Sequence, residues 1–179
     1  MRNSLLALCL VVASACPGTT APTVDAPVDL DCGDRLALAV RAPGVGYRPI
    51  ADAADGAELV LGFQGFRYVY ARGWLDVDPG AVSAAVRVTL DGGAPRSQPV
   101  QLAFGPAAGG GVQSVPLQVF FNDDPLPGLI DHGVTLELRL GTRCVASGHT
   151  VLRYDPSCIE GPDGQPVCDG GDGAPDGGL

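Results

Sequence analysis

The sequence predicts an all-β fold, a single antiparallel β-sandwich of about seven to eight strands. Three observations carry that expectation. Apolar residues recur with period two in short runs, Gly, Pro and Asp clusters punctuate those runs, and no intervening stretch repeats with a helical period. The clearest runs are Leu36, Leu38 and Val40; Val86, Val88 and Leu90; Val115, Leu117, Val119 and Phe121; and Val134, Leu136, Leu138 and Leu140. Their intervening partners, such as Arg87 and Thr89 or Glu137 and Arg139, are polar, as a sheet with one solvated face requires. Further strands are expected at 59–63, 66–75, 100–104 and 144–154. Asp78-Pro79-Gly80, Asp91-Gly92-Gly93 and Gly109-Gly110-Gly111 supply turn chemistry between them.

The segment 59–75 poses a register problem. Leu59, Leu61 and Phe63 occupy odd positions, whereas Phe66, Tyr68, Tyr70 and Trp74 occupy even ones. A strict strand puts the two sets on opposite faces, so a bulge or tight turn near Gln64-Gly65 is expected to bring them into one core. The functional alternative is that Phe66, Tyr68, Tyr70 and Trp74 form an exposed platform that stacks on sugar rings or peptide, with Gln64, Arg67 and Arg72 as polar neighbours.

The chain starts with Arg2, the apolar stretch from Leu5 to Val12, and the small residues Ala13-Ser14-Ala15 before Cys16. This pattern resembles the lipobox of bacterial lipoproteins. The resemblance implies a signal peptide at 1–15, acylation of Cys16, and attachment to the membrane through a lipid anchor. The apolar stretch falls short of the roughly 20 residues that a spanning helix needs. Pro17 after Cys16 implies the outer membrane, with the leaflet left open, and a plain secretory signal is the alternative reading. Residues 16–33 then form a linker, 34–158 the domain, and 159–179 a Gly/Asp-rich acidic tail that cannot bury a core beyond Cys168.

Charge follows this division. The net charge is −9, yet residues 35–158 are nearly balanced, because residues 17–34 carry Asp25, Asp29, Asp31 and Asp34, residues 159–179 carry Glu160, Asp163, Asp169, Asp172 and Asp176, and neither stretch has an Arg or Lys. A near-neutral domain with acidic ends speaks against nucleic-acid binding.

With Cys9 lost in the leader and Cys16 acylated, Cys32, Cys144, Cys158 and Cys168 remain. An oxidising compartment favours bridges, and the sequence leaves the connectivity open. Cys158 with Cys168, around the turn Pro162-Asp163-Gly164, and Cys32 with Cys144 form the favoured set. The spacing offers no zinc motif. The order Cys32, Trp74, Cys144 resembles the core of antibody domains, but the interval before Trp74 leaves room for a further strand, so an Ig-like architecture is expected without that domain's core. The stretch Gly62-Phe63-Gln64-Gly65-Phe66 is similar to a G-x-Q-G-aromatic segment of uncharacterised bacterial lipoprotein sandwiches, a resemblance that implies no activity.

Candidate catalytic groups are sparse. His132 and His149 stand in polar turn contexts without a nucleophile or metalloprotease motif, so no catalytic residue and no cofactor is expected. Asp123, Asp124 and Asp131, with Asn122, are a weak candidate calcium site; Pro125 and Pro127 favour an ordinary rigid turn. The expected role is a non-enzymatic, lipid-anchored extracytoplasmic binding or structural module that meets a protein or glycan ligand. A calcium-dependent adhesion or glycan-binding module is the alternative, and a hydrolase is less favoured.

Overall fold

The computed structural model describes residues 32, 35–156, 158–160 and 166–168. The expected signal peptide, Cys16, the linker up to residue 31 and the tail beyond residue 168 lie outside the described residues. The strands, in chain order, are β1 (Ala37–Ala42), β2 (Gly46–Pro49), β3 (Ala57–Leu61), β4 (Arg67–Leu75), β5 (Val82–Leu90), β6 (Arg96–Leu102), β7 (Phe104–Pro106), β8 (Val112–Ser114), β9 (Leu117–Phe120), β10 (Gly133–Leu140), β11 (Cys144–Tyr154), β12 (Cys158–Glu160) and β13 (Pro166–Cys168). The first eleven form one curled sheet, and β12 pairs with β13 in a separate ribbon.

The period-two runs become strands with one dry face. In β10, Val134, Leu136, Leu138 and Leu140 are fully buried, while the residues between them are half exposed. Each such burial contributes about 1.5–3 kcal/mol of apolar transfer free energy. Their neighbours in β5, β1 and β9 (Val86, Val88, Val40 and Val119) complete the same core with Leu59 and Val69. The two sides of the curl approach closely at Gly73, where a β-carbon would come within 2.8 Å of the Leu138 side chain. Only glycine fits there without displacing a core residue.

The sheet is mixed and has more strands than the antiparallel arrangement expected from the sequence. β11 pairs antiparallel with β10 over Cys144 to Val151, then runs on and pairs in parallel with β3, Leu152 opposite Ala57 and Tyr154 opposite Leu59. Alternation reports a one-sided burial; it carries no information on the direction of the neighbouring strand. β4 is the hub of the other half. One of its edges holds β3 and β1, and the opposite edge holds β9 and β8. The run from Val115 to Phe121 is divided rather than continuous. Leu117, Val119 and Phe121 are buried as expected, but Val115 is 52% exposed, because it falls with Pro116 in the break between β8 and β9.

The curl brings two edge strands, β6 and β9, together. The Gln98 side chain spans that gap: its amide donates to the Phe120 carbonyl at 2.7 Å and accepts from the Phe120 N–H at 3.0 Å. One side chain thus supplies both hydrogen bonds that a neighbouring strand would give. A disulfide joins Cys32 to Cys144 with a Cα separation of 5.2 Å, tying the residues before β1 to the start of β11. Among the described residues no helix is long and apolar enough to cross a membrane.

Candidate functional site

The loop 62–66 makes the tight turn expected near Gln64-Gly65, but as a hairpin end rather than a bulge. The Gly62 N–H donates to the Phe66 carbonyl at 2.8 Å, and Gln64 adopts a left-handed φ of 77°. The register across this hairpin, Leu59 opposite Val69 and Val60 opposite Tyr68, decides where the aromatic residues go. Leu59 and Val69 face the main core. Tyr68 and Tyr70, one residue out of phase, face the other side of the sheet. The two sets therefore never share a core.

That second face is itself largely buried. Tyr68 and Tyr70 are 2% and 3% exposed and pack with Ala39, Tyr47 and Val60 in a cluster of their own. Tyr68 sits edge-on to Tyr70 at 5.2 Å and to Phe120 at 5.7 Å, and Phe66 extends the series to solvent at 6.1 Å from Phe120. As an exposed platform the four predicted aromatics do not come together. Phe66 is exposed, Tyr68 and Tyr70 are buried, and Trp74 is half-buried with its indole N–H donating to the Gly110 carbonyl at 3.1 Å. Gly111 makes room for that indole: at φ 69° a β-carbon there would lie 2.5 Å from the Leu75 carbonyl oxygen and 2.8 Å from the Trp74 ring.

Polar groups are interleaved with these rings by register. Ala39 stands opposite Arg72, Arg41 opposite Tyr47, and Tyr70 opposite Gln118. The Arg72 guanidinium lies 4.0 Å from the Tyr47 ring centroid and donates to Gln113 at 3.4 Å, and the Gln118 amide donates to the Tyr70 hydroxyl at 3.4 Å. Glu58, 1% exposed, lies on the same face with the Arg41 guanidinium 3.0 Å away. Burial pushes the Glu58 carboxyl above its ordinary range, with Arg41 acting in the opposite direction. Guanidinium, amide and phenol groups thus bond one another around the packed rings, which ties β1, β2, β4, β8 and β9 together across this face. Sequence patterning did not find Arg41, Tyr47, Glu58, Gln113 or Gln118, because β2 and the pairing partners of β4 are fixed by long-range contacts.

The candidate calcium residues are not gathered. Arg96 bonds Asp124 and lies 3.7 Å from Asp123, whereas Asp131 pairs with Arg153. Asn122 is engaged by Arg67, whose backbone N–H donates to its side-chain oxygen at 3.0 Å. Among the described residues no group of three or more His, Cys, Asp or Glu is placed to hold a metal. The two histidines, read from the sequence as separate turn residues, converge on Asp91. The His132 Nε2 lies 3.1 Å from the Asp91 carbonyl, and the His149 Nε2 lies 3.1 Å from its carboxylate. No local signal in the sequence announces this meeting, since 41 and 58 positions separate His132 and His149 from Asp91. No protein-family model matches the chain, and neither curated proteins nor solved structures gave a match.

Proposed function

We propose that this chain is a lipid-anchored, extracytoplasmic binding or structural module of the bacterial cell envelope, outer membrane rather than inner, with no catalytic role. The Cys32–Cys144 disulfide is the observation that carries the reading. Disulfides persist in oxidising, exported compartments and are rare in the cytosol, and the bridge accords with a leader that ends in Ala13-Ser14-Ala15-Cys16. A β-sandwich of Ig-like architecture is the finer fold we infer, supported by two stretches of the curled sheet, β6-β5-β10-β11 and β3-β4-β1, that bury one core between them. A protein or glycan is the ligand class we favour.

The test follows Cys16. Cells expressing the full chain or Cys16→Ala are fed an alkyne-tagged palmitate and fractionated. The parent chain is expected to take up the label and sediment with membranes, and the variant to lose both. Label or membrane association retained by Cys16→Ala would sink the proposal.

A further inference from the structure

Of Cys32, Cys144, Cys158 and Cys168, two are joined to each other, Cys32 to Cys144. The other two stand directly opposite: β12 and β13 pair antiparallel with Cys158 facing Cys168, Ile159 facing Val167 and Glu160 facing Pro166. Opposed positions on antiparallel strands hold their β-carbons about 4.5–5.5 Å apart, nearer in the non-hydrogen-bonded pairs, and a disulfide spans about 3.5–4.5 Å. The hairpin also needs reinforcement. It forms a two-stranded sheet apart from the main one, which it touches through β12 and β3, and a ribbon of that size is marginal in water on its own.

We propose that a second disulfide joins Cys158 to Cys168, the pair at one end of the β12–β13 ladder. In forming it, the two thiols give up two protons and two electrons to a disulfide-exchange oxidant of the exported compartment, whose own disulfide leaves as a dithiol. β12 packs beside β3, the strand that carries Glu58 and Val60 on the second face.

The inference rests on export to an oxidising compartment, and one experiment separates the two. The full chain is expressed with its own leader in bacterial cells, thiols are blocked with iodoacetamide at lysis, and the unreduced protein is digested with trypsin. The chain has no Lys and its last Arg is Arg153, so Cys158 and Cys168 share peptide 154–179, while Cys144 lies in 144–153 and Cys32 in the peptide ending at Arg35. The expected result is a lone 154–179 peptide, unalkylated and lighter by two hydrogens, beside a cross-linked pair holding Cys32 and Cys144. Alkylated Cys158 and Cys168 beside an intact Cys32–Cys144 link would overturn the second disulfide alone. A bridge from either to Cys32 or Cys144 would overturn it as well, and alkylation of all four would overturn the export reading together with the second disulfide. In Cys158→Ser, Cys168 is expected to become alkylated while the Cys32–Cys144 link persists.

Discussion

Glu58 is the residue where burial and charge conflict most plainly. It sits in β3 between Ala57 and Leu59, which face or border the main core, and its own carboxyl is enclosed on the second face beside Arg41. Because burial raises its pKa, the native state holds the proton more tightly than the unfolded chain, whose ordinary value is near 4.5. Stability from this group is therefore fully present below pH 4.5 and is lost as pH rises through the folded-state pKa. Glu58→Gln removes the titration. Urea unfolding of both proteins from acid to neutral pH is expected to show the parent losing ground to the variant, by about 1.4 kcal/mol for each unit of the shift. A difference that stays constant with pH would contradict this. The acidic residues Asp123, Asp124 and Asp131 illustrate the same scale from the other side, since each is taken by an arginine from a distant strand, and spacing along the chain cannot report such a partner.

At the scale of elements, the seam between β6 and β9 depends on one amide. Gln98 makes two hydrogen bonds to Phe120, and its loss leaves a partly buried backbone N–H and C=O without that partner. Gln98→Ala is expected to lower the unfolding free energy by about 1–3 kcal/mol. Gln101→Ala, whose amide meets only the exposed Ser83 hydroxyl, is expected to cost less than about 0.5 kcal/mol. Denaturant titration of both variants checks the contrast; equal costs would remove the latch role. The strands themselves were legible where one face is apolar and the other polar. The run 144–154 and the Val134 to Leu140 alternation correspond to β11 and β10. β2 and β8 are short and carry no full alternation, and β12 and β13 fall where Gly, Pro and Asp dominate, so pairing with a neighbour rather than local pattern creates them.

For the whole molecule, the Cys32–Cys144 bridge closes a chain separation of 112 residues, and loops of that size contribute about 4–5 kcal/mol by restricting the unfolded chain. The double variant Cys32→Ser with Cys144→Ser is expected to lose stability of that order in guanidinium unfolding while keeping its far-ultraviolet β-sheet spectrum. An unchanged midpoint would show that the unfolded chain gains nothing when the link is cut. The bridge also acts where the fold changes partners, because it fixes the start of β11, the strand that leaves β10 and joins β3.

The all-β class, most strand positions and the dry face of each are legible along the chain, because period-two burial is a local property of a strand. The sequence also singled out the aromatic residues of β4 and the pairing of Cys32 with Cys144 as one of its options. Folding adds that Tyr68 and Tyr70 enter a second cluster, that β3 meets β11 in parallel, that Gln98 closes the seam, and that both histidines reach Asp91. Each of these depends on register or on contacts between distant segments. A shift of one residue in a strand reverses every side chain's face while leaving the local pattern unchanged.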